Sequence, residues 1–315
     1  MSYSSESLKS VSVGVSTADT PWVVAGRPRS LELLGKLALW PNVVWQHRDL
    51  LATSVRRDLQ ARFRGTLLGM LWVLLQPLMQ FAIYAFIFTE LLGLRLGAAA
   101  DAPLGTMGVY MFSGTLVWTA FADTLQRSTS CILENRNLVQ KVRFDAQLLP
   151  LQIALSSLVT FGAGLLAFCV FTAFSPTWSF PSVSLIWWGP LLLVLQLLLT
   201  LGLGLLLSAS QVLFRDTQPV MAMVLTVWMF VTPIFWVPSA ELLPGIEEWL
   251  PLVDINPVHH LVYLWRELLM SSEPAIIFNG SFQHSLAMLA TWAVGLFLVG
   301  TMFFFRVERH LSDEV

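Results

Sequence analysis

The chain has 315 residues, of which 56% are apolar and only 12% are charged. Soluble domains carry roughly 25% charged residues, so this composition excludes a conventional soluble enzyme of this length. The formal net charge of −2 provides no basic field to hold nucleic acid, and the two cysteines, Cys131 and Cys169, cannot build a disulfide framework or a four-ligand zinc site.

Residues 1–45 are predicted to form a flexible cytoplasmic N-terminal segment. The first 30 residues are rich in Ser, Thr, Gly and Pro, a composition that does not bury enough apolar surface to fold. The first ten residues, MSYSSESLKS, lack the apolar stretch of a cleavable export signal.

Residues 46–65 are predicted to form an amphipathic helix in the membrane interface. Apolar residues recur every four positions in this segment, and most polar and basic residues lie opposite them. One interpretation is that the positive charges of this helix only fix the orientation of the chain in the membrane. The other is a helix that also packs against a cytoplasmic partner and steers lipid headgroups, with four candidate headgroup residues: Arg56, Arg57, Arg62 and Arg64.

Residues 66–305 are predicted to form a six-span permease domain. Six apolar blocks are each about as long as a membrane-spanning helix: 66–92, 106–125, 148–174, 185–213, 219–237 and 285–305. Pro77 and Pro233 are expected to kink the first and fifth helices. A soluble bundle would show a polar face at helical spacing, and a β-barrel would show short alternating segments, so the fold class is all-α integral membrane.

Lysine and arginine positions predict the orientation of the spans. With the N-terminus inside, sixteen of the 18 basic residues lie on the cytoplasmic side, and only Arg95 and Arg266 lie outside. Both termini, including the tail 306–315, are therefore expected in the cytoplasm.

Two loops and one carboxylate carry further signals. The loop between the second and third spans mixes large apolar residues with charges, which is typical of a helix that docks into another protein or lies flat on the bilayer.

In the outer loop, the spacing of Val262, Trp265 and Leu269 predicts a short re-entrant helix before the sixth span. Asp123 lies at membrane depth, where a carboxylate is costly and often functional.

Six segments carry a family resemblance when read in order. They are GTLLGMLWVLLQPLMQFAIYAFIF in the first span, ENRNLVQKVRFDAQLLPL in the second-to-third loop, LFRDTQPV, VTPIFW, DINPVHHLVYLWRELL and FFRVERHLSDEV. Together they resemble the permease subunits of polysaccharide-exporting ABC transporters: the Wzm type for O-antigen, with KpsM for capsule and TagG for teichoic acid as relatives.

The resemblance implies a homodimer that binds two copies of a cytoplasmic ABC ATPase. The docking candidates lie in the second-to-third loop: Asn135, Asn137, Leu138, Lys141 and Phe144. The resemblance also places periplasmic gate helices in the outer loop, where the candidates are His259, His260 and Trp265. Adjacent histidines on a helix point about 100° apart, so no metal site is predicted there.

Aromatic residues of the first, second and fifth spans are candidates for a substrate conduit. Aromatic faces pack against the apolar face of a sugar ring without binding it tightly, although the same residues could face lipid or pack between helices. The candidates are Trp72, Phe81, Tyr84, Phe88, Trp118 and Trp228.

The chain is therefore expected to be a transporter subunit of the bacterial inner membrane rather than an enzyme. It contains no G-x-x-x-x-G-K-[ST] motif, so ATP and Mg²⁺ are expected on the partner ATPase and no cofactor on this chain. The expected cargo is an undecaprenyl-diphosphate-linked, O-antigen-like polysaccharide, with membrane lipids as further partners. Alternatives are export of capsule or teichoic acid, a membrane glycan-modifying enzyme, and an ion-coupled carrier.

Overall fold

The computed structural model describes residues 40, 42–93, 106–136, 145–174, 181–238, 245–270 and 281–314. Within these ranges every regular element is a helix. The α-helices are α1 (Arg48–Arg62), α2 (Trp72–Ala85), α3 (Thr106–Glu134), α4 (Leu148–Phe174), α5 (Ser184–Leu213), α6 (Thr217–Val231), α7 (Leu250–Ile255), α8 (Pro257–Leu269) and α9 (Phe282–Glu314). The all-helical class predicted from composition is confirmed.

Four stretches of the described chain are long and apolar enough to cross a membrane: Gly69–Phe88, Leu148–Ala173, Ser184–Leu213 and Phe282–Glu308. They coincide with the predicted first, third, fourth and sixth spans. The predicted second and fifth spans, 106–125 and 219–237, are not among them, so the count of six remains a prediction.

The helix α3 lies at the centre of the bundle, where it packs against α2, α4, α5, α6 and α8. Its position explains why its composition differs from that of the four apolar stretches. Hydroxyl side chains such as Ser113, Thr124 and Ser128 are buried within the protein, and Thr124 donates to the backbone carbonyl of Ala120. A helix surrounded by other helices can carry polar groups that lipid would penalise.

The helix α6 is shorter than the predicted fifth span. It ends at Val231, Thr232 adopts an extended conformation, and Pro233 follows. Proline restricts the preceding residue to extended backbone, so Pro233 ends the helix and the predicted kink at this position is wrong. Pro77, in contrast, lies inside α2.

The helices α5 and α9 make the closest helix–helix approach in the described bundle. A Cβ atom at Gly202 would lie 2.5 Å from the backbone nitrogen of Phe297, and one at Gly300 would overlap the carbonyl of Gly202. Small residues of this kind let two backbones pack directly against each other in a membrane. This pair of glycines therefore holds the predicted fourth and sixth spans together.

Candidate functional site

The helix α1 carries three of the four arginines predicted to contact lipid headgroups, and Arg64 follows it. Leu51 and Leu59 are buried against the bundle, and α1 packs on α4. Arg56, Arg57 and Arg64 are exposed, whereas Arg62 is partly buried. Arg62 therefore has an environment different from that of the other three.

Arg62 belongs to a cluster of four charged side chains, which we call the ionic cluster: Asp58, Arg62, Asp123 and Arg127. Arg62 Nη2 lies 2.8 Å from Asp123 Oδ2, and Arg62 Nε lies 3.4 Å from Asp58 Oδ2. Arg127 pairs with Asp58 and, at 3.4 Å, with Asp123. Two carboxylates and two guanidinium groups give the cluster no net charge.

Two serines of α4 complete the ionic cluster. Ser157 Oγ donates to Asp123 at 2.6 Å, and Ser156 Oγ donates to Asp58. The cluster therefore joins α1, α3 and α4 by hydrogen bonds that share the same carboxylates. Partly buried charges of this kind are stable only when their partners remain in place.

The aromatic candidates of α2 have different surroundings. Phe81 is 2% exposed and packs edge-on against Phe112 and Phe171 at ring distances of 4.9 and 4.3 Å. Trp72 is 37% exposed. Tyr84 and Phe88 are half-buried with ring centroids 6.1 Å apart. Trp72, Tyr84 and Phe88 thus retain accessible surface, and Phe81 lies in the core of the subunit.

Trp118 and Trp228 belong to an aromatic contact between α3 and α6. Their ring centroids are 6.5 Å apart, and Phe121 lies 5.3 Å from Trp228. Trp228 Nε1 donates to Asn256 Oδ1 at 2.9 Å, which ties α6 to the start of α8. A groove of about 380 Å³ runs beside this contact and is lined in part by Trp118, Gln126 and Thr226.

A helix is confirmed at the predicted position before the sixth span, as α8, and twelve of its 13 residues are buried. All three gate candidates lie inside the subunit: His259 is 3% exposed, His260 0% and Trp265 1%. Trp265 Nε1 donates to Gln196 Oε1 of α5 at 3.0 Å, and His260 Nε2 lies 2.6 Å from the carbonyl oxygen of Asp254. In this conformation Trp265 joins α8 to α5, and His260 joins α8 to α7.

Arg266, one of the two basic residues outside the predicted cytoplasmic side, is also buried inside the subunit. It donates to the backbone carbonyls of Tyr110, Pro233 and Ile234. Its guanidinium carbon lies 3.5 Å from the ring centroid of Tyr110. Arg266 therefore satisfies carbonyl groups released where α6 ends, and it joins α3, α8 and the segment after α6.

Only Asn135 of the five docking candidates lies among the described residues; Asn137, Leu138, Lys141 and Phe144 lie outside them. Asn135 Nδ2 donates to the carbonyl of Cys131 at 2.8 Å, at the end of α3. A cavity of about 220 Å³ beside it is lined in part by Asn135, Glu134 and Cys131.

Sequence reasoning singled out Arg62 and Asp123 but missed their partners Asp58, Arg127 and the two serines. Asp58 lies seven residues after Leu51 and three after Val55, beside the apolar stripe of α1, and this position was the available signal for a buried carboxylate. Arg266 had a similar signal, since it is an isolated basic residue in an apolar outer helix. No group of three His, Cys, Asp or Glu side chains suited to a metal ion occurs within the described ranges.

Comparison with protein families gives one match that covers most of the chain. The profile of a family described as "ABC-2 type transporter" matches residues 49–270. The match includes α1, the ionic cluster, the aromatic contact of α3 and α6, and Arg266 at its outer end.

Three curated proteins are similar to the chain, and each is named "O-antigen export system permease protein RfbA". The one from Myxococcus xanthus is 33% identical over 193 residues, which cover 61% of this chain and 70% of that protein. Two from Klebsiella pneumoniae are 25% identical over 84% of this chain and 94% of the relative, and 26% identical over 71% and 81%.

Proposed function

This chain belongs to the ABC-2 type transporter family, and we propose on that premise that it is the transmembrane subunit of an ATP-driven exporter of a lipid-linked polysaccharide. Membership makes the chain the membrane subunit of a transporter rather than an enzyme. It also implies a partner ATPase and a multi-pass location in the inner membrane.

An O-antigen-like polysaccharide is the proposed cargo. The observation that carries this proposal is the shared name of the three relatives, O-antigen export permease, one of which aligns along almost its whole length. The undecaprenyl-diphosphate carrier is proposed because a long glycan needs a membrane anchor on the cytoplasmic side. Membrane lipids surround the entry point, with α1 in the interface and Arg56, Arg57 and Arg64 toward headgroups.

We propose six crossings, with both termini in the cytoplasm and with α3 and α6 as the second and fifth. At 1.5 Å per residue the 29 residues of α3 reach about 43 Å, enough for a hydrocarbon core of about 30 Å. The 15 residues of α6 reach only about 22 Å, and the segment 232–238 completes this crossing. On this topology α7 and α8 form the re-entrant outer helices.

Two copies of the chain are proposed to enclose the conduit. Exposed apolar side chains occur along α2 and α6, including Met79 at 58%, Met223 at 65% and Phe230 at 60%. These surfaces support pairing of two subunits through α2 and α6, with Trp72, Tyr84 and Phe88 facing the passage. In this arrangement Phe81, Trp118 and Trp228 support the conduit wall from behind.

Two copies of a cytoplasmic ATPase are proposed to bind at the loop that follows α3, residues 135–144. The loop is continuous with the inner end of α3, and Arg127 of that helix belongs to the ionic cluster. Movement of the loop would therefore reach α1 and α4 through the cluster. The buried helix α8, with His259, His260 and Trp265, is proposed to act as the outer gate by moving as one body.

The test is ATP-dependent uptake of lipid-linked glycan into inverted membrane vesicles that contain this chain and its ATPase. Uptake is expected only with both subunits and ATP, and an ATPase variant lacking the P-loop lysine serves as the control. Uptake without the ATPase would support a carrier. Turnover of a sugar donor by the chain alone would support an enzyme, and either result would overturn the proposal.

A further inference from the structure

A second cavity lies between the ionic cluster and the first span. It has a volume of about 170 Å³ and is bounded by α1, α2, α3 and α4. It is separate from the groove between α3 and α6, although Asp123 lines both. We call it the α2–α4 cavity.

The polar lining of the α2–α4 cavity comes from four different helices. Asp123 and Arg62 lie at its ionic end, and hydroxyl and amide side chains continue from there. The polar lining includes Arg62, Gln76, Gln80, Thr119, Asp123 and Thr160.

Gln76 and Gln80 are the unexpected part of this lining. They lie one turn apart on α2, an otherwise apolar helix, and Gln80 Nε2 donates a long hydrogen bond of 3.4 Å to Tyr84 Oη. Each amide offers two donors and two acceptor positions, more than this contact uses. Amides at membrane depth are unfavourable unless water or a ligand pairs with them.

The charges that line the α2–α4 cavity indicate which class of ligand it would bind. Arg62 is already neutralised by Asp58 and Asp123, and Asp123 by Arg62 and Arg127. The site therefore has no surplus charge to attract a phosphate or an ammonium group. Carboxylate, guanidinium, amide and hydroxyl groups together match a ligand that both donates and accepts hydrogen bonds.

The lining of the α2–α4 cavity also includes apolar residues. They are Pro77 of α2, Leu116 of α3 and Phe161 of α4. A sugar ring has hydroxyl groups around its edge and an apolar C–H face, and a cavity lined by both polar and apolar side chains fits both. A phospholipid acyl chain would leave the glutamines unpaired.

We propose that the α2–α4 cavity binds an uncharged, hydroxyl-rich sugar unit of the transported glycan, at a site apart from the aromatic conduit. The inference rests on the proposed function. Gln76 and Gln80 bind the hydroxyl groups, and Asp123 accepts a hydrogen bond from one of them. The ionic cluster positions Asp123 and thereby connects occupancy of the site to α1 and α3.

The first test replaces both amides by thioethers of similar length, Gln76→Met with Gln80→Met. Glycan uptake into vesicles is expected to fall at least tenfold. The matched control is Gln283→Met, since Gln283 is exposed at the start of α9, outside the cavity lining. Wild-type uptake by the double variant, or an equal loss in the control, would overturn the inference.

The second test does not depend on transport. The photocrosslinker p-benzoylphenylalanine is placed at Gln76 or Thr160 in the assembled complex, and at Val194 as the control. Val194 is exposed on α5 and does not line the cavity. Glycan adducts are expected at the first two positions and not at Val194. Phospholipid adducts alone, or no adduct, would overturn the inference.

The two tests separate this inference from the proposed function. If wild-type vesicles take up no glycan with ATPase and ATP present, the proposed function fails. If wild-type uptake is normal and no glycan adduct forms at Gln76 or Thr160, the function stands and the sugar site in the α2–α4 cavity is refuted.

Discussion

Arg62 donates a hydrogen bond of 2.8 Å from Nη2 to Asp123 Oδ2, although the two residues lie 61 positions apart in the chain. The contact connects a helix that precedes the first span to the centre of the bundle. Arg127, one turn after Asp123, repeats the connection through Asp58. This end of the subunit is thus held by charged side chains of α1 and α3 together with two serines of α4.

The Arg62–Asp123 pair is predicted to be energetically coupled. Each single variant, Arg62→Gln or Asp123→Asn, removes one of the two oppositely charged partners of the residue that remains, whereas the double variant removes the whole pair. The coupling energy is expected to be about 0.5–3 kcal/mol, measured by unfolding in mixed micelles. Additive effects of the two substitutions would show that the contact contributes nothing to stability.

Arg266 is predicted to be needed for packing of α8 against α3 and the segment after α6. In Arg266→Met the carbonyl of Ile234 loses its donor, at about 1–3 kcal/mol for a group left unpaired. The carbonyls of Tyr110 and Pro233 lose one donor each but keep the hydroxyl groups of Ser113 and Tyr110. In Arg266→Lys only part of this loss is recovered, because one ammonium group cannot place its donors where the planar guanidinium group of arginine places them. Yield and Tm of the solubilised protein are the measurements.

Arg306→Lys is the matched control for Arg266, because Arg306 is exposed on α9. Its Tm is expected to equal that of the wild-type chain. Normal yield and Tm for Arg266→Met would contradict the structural role given to this residue.

The apolar blocks predicted the bundle because hydrophobic length alone determines where long membrane helices can form. Residues 148–174 match α4 at both ends, and residues 185–213 differ from α5 by one residue. The end of α6 was mispredicted because apolar residues continue past Pro233, while the backbone restriction of proline acts one residue earlier. Hydropathy averages over a window and does not detect such a stop.

The ionic cluster and the buried arginine were only partly predictable. Asp123 was recognisable because a carboxylate is rare at membrane depth. Its partners come from α1 and α4, and no local pattern brings Asp58, Ser156 and Asp123 together. Gly114 shows the same limit: a Cβ at this position would collide with the guanidinium of Arg266, a contact between residues far apart in sequence.

Close packing of α5 on α9 is predicted to depend on Gly202 and Gly300. A methyl group at Gly300 would overlap the carbonyl of Gly202, so Gly300→Ala must separate the helices and is expected to cost about 1–3 kcal/mol. Gly295→Ala on the same helix is the control, because nothing lies within 4 Å of a Cβ there. Equal stability of the two variants would contradict the close approach.

Aromatic residues of α2 are predicted to separate into transport and packing roles. Trp72→Ala with Tyr84→Ala is expected to reduce glycan uptake more than ATP hydrolysis, because both side chains retain accessible surface. Phe81→Ala is expected to lower stability by about 3–5 kcal/mol, because Phe81 fills a core of aromatic rings. Parallel loss of uptake and hydrolysis in the double variant would indicate a damaged fold and not a damaged conduit.

Docking of the ATPase is predicted to depend on apolar side chains of the loop after α3. Phe144→Asp places a charge where an apolar side chain is proposed to enter a groove of the partner. Affinity for the ATPase is expected to fall about tenfold or more, the loss typical of a central interface residue. Phe144→Leu keeps the apolar contact and should retain most binding, and Leu138→Asp should behave as Phe144→Asp does.

The measurement is co-purification of the ATPase from solubilised membranes, with the amount of inserted chain determined separately. If both aspartate variants co-purify as much ATPase as the wild-type chain does, the loop lies on the bilayer surface and the ATPase binds elsewhere.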